Sequence, residues 1–392
     1  IKHISEVVKE RNLNRVVVAS CTPLTHGPLF RDSLRQAGLN PYLFEMANIR
    51  NHCSWVHSDD WDAATEKAQG LVRMAVARAA LLEPQHTIDV PVQHAALVVG
   101  GGPAGMTAAL SLADQGFSVH LVEREDALGG NLRHVFTAHP RPVMNYRTKE
   151  QSPINRAEPQ AILHDLIEQI QTNKNITTHL SSRVTHTTGF MGNFASVIEN
   201  GNGGSITIQH GATILATGGQ EYRGPDYGYG TDPHIITQQE FEERLYNLKS
   251  EIGNLKSVAM IQCVGPAEKY CSRICCMVAL KNALALKRQN PDAQIVIFYR
   301  DIRTYGFGER LYTEARRQGV LFVRYDEEHK PEVSISSPQS PVSIQAWEPV
   351  LGRPFTLHPD LLVLSMPIVS RDDAHQTASL FKVPLDADGF FQ

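Results

Sequence analysis

The chain has 392 residues, which at roughly 150 residues per domain implies two or three domains. Hydrophobic residues make up 42% and charged residues 20%, ordinary globular usage that argues against a mainly disordered or fibrous chain. Lys and Arg total 37 against 41 Asp and Glu, a formal charge of −4. That balance does not support nucleic-acid binding over a broad basic surface.

The best apolar run, Leu361 to Met366, falls far short of the roughly 18 residues a membrane span needs and reads as a buried strand. No charged segment followed by an apolar one opens the chain, so secretion is unsupported. The chain begins at Ile1 with no Met, which reads as a fragment or a processed form. Six cysteines do not make a disulfide scaffold in a chain this long. Four of them lie between Cys263 and Cys276, which points to a metal or redox site in a reducing compartment and so to a cytoplasmic protein.

Taken in order, the first stretch alternates strand and helix. Arg15 to Ser20 is a β-branched run, Pro28 to Ala37 carries Leu29, Phe30 and Leu34 on one helical face, and Tyr42 to Met46 reads as a strand. Trp61 to Leu82 reads as a long helix, with Asp59, Asp60 and Asp62 as capping candidates, and Leu82 to Pro91 as a linker. Ala96 to Val99 is a buried strand, Gly100 to Gly105 a turn, Met106 to Gln115 a helix and Ser118 to Val122 a second strand, together a βαβ unit. Phe136 to Pro159 reads as a long loop, and Ile162 to Ile170 marks a helix. Ile176 to Gln209 reads as antiparallel strands with a turn at Asn200 to Gly204, and Thr213 to Ala216 as one more buried strand. A further βαβ rhythm runs through the strand Ser257 to Ile261, the helix Ile274 to Arg288 and the strand Gln294 to Tyr299. It continues with the helix Phe307 to Gln318 and the strand Val320 to Val323; a small meander from Val333 to Leu357 and a returning strand Leu361 to Leu364 follow. The expected fold class is α/β: an N-terminal α/β unit over 1–88, a Rossmann-type dinucleotide domain over 89–250 and a degenerate nicotinamide-type βαβ domain over 251–370. The remaining 371–392 is read as the truncated start of a return to the dinucleotide domain.

The pattern Gly100-x-Gly102-x-x-Gly105, with Pro103 and Ala104 inside it, stands between strand and helix. Gly100 permits the tight turn, Gly102 admits a pyrophosphate to the backbone, and Gly105 allows close helix–strand packing, with the helix N-terminus facing the phosphates. Glu123, followed by Arg124, stands at the spacing of a ribose hydroxyl acceptor. Gly129-Gly130-Asn131 and Ala216-Thr217-Gly218 resemble secondary motifs of the thioredoxin reductase and glutathione reductase relatives, flavoproteins with two dinucleotide-binding domains. That likeness favours FAD over NAD and places Val184 where such proteins hold the adenine.

A nicotinamide site would need a second glycine turn after Ser257 to Ile261. The chain there reads Gln262-Cys263-Val264-Gly265-Pro266, and one glycine followed by proline cannot offer a run of backbone N–H groups. Cys263, Cys271, Cys275 and Cys276 occupy that place instead. Four thiolates suit an iron–sulfur cluster or a structural zinc; buried packing cysteines and a redox dithiol are the other readings. Cys271 and Cys275 would share one face if the helix begins at Ser272, with Cys276 about 100° round it and Cys263 closing the site from the loop. Cys21 and Cys53 read as packing groups, His26, His52 and His57 as surface or loop residues, and Arg300 and Arg303 as a solvated pair. No Ser/His/Asp hydrolase arrangement accompanies a nucleophile turn.

Val16 to Pro23, Ala37 to Arg50, Ala64 to Ala68, Gly100 to Gly105, Ile261 to Gly265, Tyr270 to Met277 and Phe298 to Arg303 together resemble the A-type subunits of heterodisulfide reductases over nearly the whole chain. The resemblance implies FAD at the Gly100 turn and a [4Fe–4S] cluster on Cys263, Cys271, Cys275 and Cys276. It implies electron relay to the other subunits of such a complex, with the chain as a homodimer within it. Family members usually carry ferredoxin-type cysteine runs that this chain lacks, and a C-terminal segment that returns to the flavin, before which this chain is expected to stop. The alternative functions are a thioredoxin-reductase-like dithiol enzyme using two of Cys271, Cys275 and Cys276, and a flavin-binding scaffold without turnover.

Overall fold

The computed structural model describes residues 2–137, 143–144, 151–152, 158–248, 252–265, 271–335, 342–350 and 352–392. The chain divides into two compact units, Ile1–Val90 and Pro91–Gln392. In the first unit, helix α1 (Lys2–Glu10) leads to β1 (Val16–Ser20), α2 (Pro23–Gln36), β2 (Phe44–Asn48) and α3 (Trp61–Ala80). β1 and β2 pair in parallel, Val16 opposite Phe44. The second strand runs two residues later than the hydrophobic pattern places it, because Leu43 already bonds back to Asn40 in the preceding turn. Asp60 caps α3, its side chain accepting from the Ala63 N–H.

The second unit holds two parallel sheets. In the first, β3 (Ala95–Val99) continues into α4 (Pro103–Asp114) and β4 (Ser118–Val122). After α5 (Pro159–Thr172) comes β5 (Ile176–His179), which joins β4 in parallel rather than the antiparallel group the sequence suggests. That group is β6 (Ser182–Phe190), β7 (Asn193–Asn200) and β8 (Ser205–His210), and the chain returns as β9 (Ala212–Leu215) beside β3. The order β9-β3-β4-β5 makes β3 the central strand where the winding direction reverses. Ligands in such sheets bind beyond the strands' carboxyl ends at that point. Leu97, Val98 and Leu121 are fully buried there, each stabilising the sheet by roughly 1.5–3 kcal/mol.

A short strand β10 (Gly219–Glu221) leads to β11 (Ile235–Thr237), α6 (Gln238–Asn247) and β12 (Ser257–Ile261), then α7 (Cys275–Gln289) and β13 (Gln294–Tyr299). After α8 (Glu309–Arg317) and β14 (Leu321–Arg324), a meander of β15 (Glu332–Ser334), β16 (Ser343–Glu348) and β17 (Arg353–Leu357) precedes β18 (Leu361–Leu364). The second sheet runs β11-β18-β12-β13-β14, all parallel. The chain then crosses back through β19 (Ile368–Ser370), antiparallel to β10, into α9 (Ala374–Phe381). Most of the Phe136 to Pro159 loop lies outside the described residues. Among the described residues, no helix is long and apolar enough to cross a membrane.

Candidate functional site

The turn from β3 to α4 admits only glycine at two positions. Gly100 has φ +109°, a left-handed conformation that other L residues rarely take, and a Cβ there would collide with the Ala216 carbonyl. A Cβ on Gly105 would collide with the Gly100 carbonyl, so α4 lies against the strand end only because that residue is glycine. Gly102 differs. It is the N-cap of α4 with φ −73°, and a Cβ would meet nothing within 4 Å. The space it leaves lies before the free N–H groups of the helix start, where an anion is favoured.

This turn walls a cavity of about 420 Å³, the size of a small-molecule or cofactor pocket. Gly100, Gly102, Pro103, Ala104, Glu123, Arg124, Gly130, Asn131, Val184, Thr217 and Gly218 all line it, while Gly105 stands behind as the packing glycine. Glu123 is buried at the end of β4; one carboxylate oxygen accepts from the Gly101 N–H at 2.6 Å, the other from the Glu125 N–H at 2.9 Å. Each oxygen keeps a lone pair for a ligand hydroxyl. Asn131 Nδ2 donates to the Gly219 carbonyl at 3.0 Å, tying the second glycine turn to the strand after Thr217-Gly218.

The far wall was missed by sequence reasoning. Arg371, Asp373, Gln376, Thr377, Leu380 and Phe381 complete the cavity, with Ser182, Arg183 and Thr185 around Val184. Arg371 Nε donates to the Thr217 carbonyl at 3.2 Å, and Arg124 pairs with Asp373 at 3.3 Å. Burial, with Arg124 nearby, pulls the Arg371 pKa down from its ordinary value. The stretch 371–392, read from the sequence as the start of a return to the dinucleotide domain, supplies this wall through Arg371, Asp373 and α9. Its one sequence signal, an acidic pair ahead of a short apolar helix, is too brief to carry a periodicity.

The second constellation lies at the carboxyl end of β12. Cys263, Cys271, Cys275 and Cys276 line one enclosed cavity with Gln262, Arg300, Asp301 and Arg303. The helix begins at Cys275, not at Ser272, so Cys271 belongs to the approaching turn and does not share a helical face with Cys275. Cys263 and Arg273 sit at φ +59° and +61°. Non-glycine residues held this way are strained by roughly 1–3 kcal/mol each, and such strain gathers at functional sites. The Arg273 N–H donates to Cys271 Sγ at 3.3 Å, Cys275 Sγ lies 3.1 Å from Ser272 Oγ, and Cys276 Sγ donates to the Asp301 carbonyl at 3.6 Å. Burial pushes the Cys275 thiol up to about 11 and raises Cys263 and Cys276, while Arg300 pulls Cys263 back down. Arg300 and Arg303, expected as a solvated pair, line this cavity while staying solvent-accessible, paired with Glu327 and Asp301 respectively. The four thiols surround the cavity rather than converge: among the described residues, no three His, Cys, Asp or Glu side chains form a group for one metal ion.

At the same strand end, Gly265 has φ +58°, and a Cβ on it would collide with the Tyr222 ring. The Tyr222 ring thus lies against the backbone just after β12. Cys53 is buried and donates to the Ala64 carbonyl at 2.7 Å in the first unit, and Cys21 lies beside Ser20.

Two Rossmann-like parallel sheets, the first ending in a dinucleotide cradle, define an FAD-type oxidoreductase. Residues 96–218 match the FAD dependent oxidoreductase family. The fold is similar to thioredoxin reductase from T. acidophilum, with a TM-score of 0.50, 14% identity, and coverage of 76% of this chain and 83% of that one. In sequence the chain is 33% identical to the second A-type iron-sulfur subunit of CoB–CoM heterodisulfide reductase from Methanopyrus kandleri, over 99% of this chain and 71% of that protein. It is 32% identical to the A-type subunit of the H(2):CoB-CoM heterodisulfide,ferredoxin reductase of Methanothermobacter marburgensis, over 99% and 70%. The chain belongs to the family of heterodisulfide reductase A-type subunits.

Proposed function

We propose that the chain is the FAD- and [4Fe–4S]-dependent electron-transfer subunit of a heterodisulfide-reductase-like complex, working in the cytoplasm with partner iron–sulfur subunits. The observation that carries this is the pairing, within Pro91–Gln392, of an open cradle at Gly102 with four thiols around one enclosed cavity in the second sheet. The donor chemistry of each set suits its group. The helix start and Glu123 suit a pyrophosphate and a ribose, and four soft thiolates spread round a cavity suit a cluster. The name of the Methanopyrus relative, an iron-sulfur subunit, supports the second assignment. FAD supplies the ability to take two electrons as a hydride and return them singly. The residues themselves bind and orient: Gly100 and Gly105 hold the turn against Ala216, Gly102 leaves it open, and Arg371 and Asp373 close the wall. The sequence after β12 offers one glycine followed by Pro266 in place of a phosphate turn, so reducing equivalents arrive from partner subunits.

The test is to change each cysteine to serine and measure iron, sulfide and flavin per chain after anaerobic reconstitution, with electron paramagnetic resonance after dithionite. Cys271→Ser, Cys275→Ser and Cys276→Ser should each lose most iron and keep FAD. Cys263→Ser, on the loop apart from the other three, should lose the least of the four, and Cys21→Ser and Cys53→Ser should lose none. Wild-type protein that takes up zinc or no metal would sink the relay. A reversible disulfide in its place would put the dithiol enzyme first.

A further inference from the structure

Gln262 follows the last residue of β12 and is 1% exposed. Its main chain is pinned: the N–H donates to the Phe298 carbonyl at 2.9 Å, and the carbonyl accepts from the Tyr325 hydroxyl at 2.6 Å. Its side-chain amide is not. Among the described residues neither Nε2 nor Oε1 has a hydrogen-bond partner, and the residue lines the cavity of the four cysteines. A neighbouring buried amide shows what this fold does otherwise. Gln238 Nε2 donates to Ser365 Oγ at 3.2 Å and its Oε1 accepts from Asn282 Nδ2 at 2.9 Å. A buried amide with both ends unmatched is destabilising unless a partner arrives.

We infer that Gln262 is a positioning residue for the group held by the cysteines, its Nε2–H donating to a sulfur of that group. The inference rests on the cluster reading above. An N–H···S hydrogen bond favours the more negative, reduced state, so Gln262 raises the cluster's reduction potential and fixes its orientation against Cys263. Without the group the same amide is an internal strain on the fold.

Gln262→Met keeps the length and volume and removes both amide atoms. In the reconstituted full chain, iron and sulfide per chain should match wild type. At a fixed potential the ratio of reduced to oxidised cluster, read by electron paramagnetic resonance titration, should fall about tenfold, one decade of about 59 mV for a one-electron couple. In the metal-free protein the same change should raise Tm by about 2–4 °C. Full iron with an unmoved potential overturns the role of Gln262 and leaves the cluster reading standing. A lower Tm in the metal-free variant also overturns it, since the amide would then have been satisfied without the group. Wild-type protein that takes up no iron or sulfide overturns both. If Gln262→Met loses its iron, Gln262→Asn decides: iron retained by the shorter amide supports the hydrogen bond, and loss in both variants marks a packing role and overturns it.

Discussion

Two glycines of one turn should fail in opposite ways. Gly105→Ala drives a Cβ into the Gly100 carbonyl, a backbone contact that cannot move without parting α4 from β3. Overpacking of this kind is destabilising by about 1–3 kcal/mol, several degrees in Tm. Gly102→Val adds its side chain to open space at an extended φ of −73°, so the flavin-free protein should stay within about 0.5 kcal/mol of wild type. The valine would, however, stand before the helix-start N–H groups. Each hydrogen bond to a charged phosphate contributes about 1.5–3 kcal/mol, so losing one weakens FAD about ten- to hundredfold. At FAD near 100 times the wild-type Kd, ligand stabilises the fold by about 2.7 kcal/mol; after a hundredfold loss only about 0.4 kcal/mol remains. Thermal unfolding with and without FAD, beside a flavin-fluorescence titration, reads both quantities. Gly102→Val that binds FAD like wild type, or that destabilises the flavin-free fold as much as Gly105→Ala, would refute the cradle.

NADH and NADPH should reduce the flavin slowly, because Gln262-Cys263-Val264-Gly265-Pro266 offers no run of backbone N–H groups for a phosphate; rapid stoichiometric bleaching in stopped flow would overturn this. Glu221 is buried, and desolvation raises its pKa from 4.5 to about 7, against the opposing pull of Thr237 and Arg223. Its folded pKa lies above the unfolded one, so the folded state binds the extra proton, and stability falls as pH rises from about 4.5 to about 7. At 1.36 kcal/mol per unit the loss is about 3 kcal/mol. Glu221→Gln should remove that slope, and a denaturation series with the same slope in both proteins would show the carboxyl is not the source.

The near half of the dinucleotide site was legible because it is local. Gly100, Gly102 and Gly105 stand within six residues, and the strand before and helix after announce themselves by periodicity. Glu123 follows at a fixed spacing because one helix and one strand intervene. The far wall was not legible, since Arg371 reaches Thr217 across 154 residues and no pattern in the sequence links them. The capping box of α6, Thr237 with Glu240, was written in the sequence and passed unread, because Ile235–Thr237 is too short a strand to frame it. The cysteines were found by number but not by geometry. Whether Cys271 belongs to α7 depends on where the helix starts, and Arg273 at φ +61° prevents it from starting sooner.

That start bears on the chemistry. In the first sheet, the strand β3 gives way to a glycine turn and a helix whose N-terminus faces the open cradle. In the second sheet, β12 gives way to Cys263 and then to α7, whose first two residues are Cys275 and Cys276. Free N–H groups and the positive end of a helix, 12 residues long in α4 and 15 in α7, favour phosphate in one case and thiolate in the other. Burial opposes this, raising both thiols in the metal-free chain, so the helix alone does not hold them ionised. A bound cationic iron core would supply the missing charge, and the helix dipole would then act in the same direction as the metal. On the proposed cluster reading, the helix start after β12 would serve thiolates as the one after β3 would serve a phosphate. On this reading, cysteines placed two or more turns further along α7 would lose the dipole and hold iron less well, even with the same sulfur count.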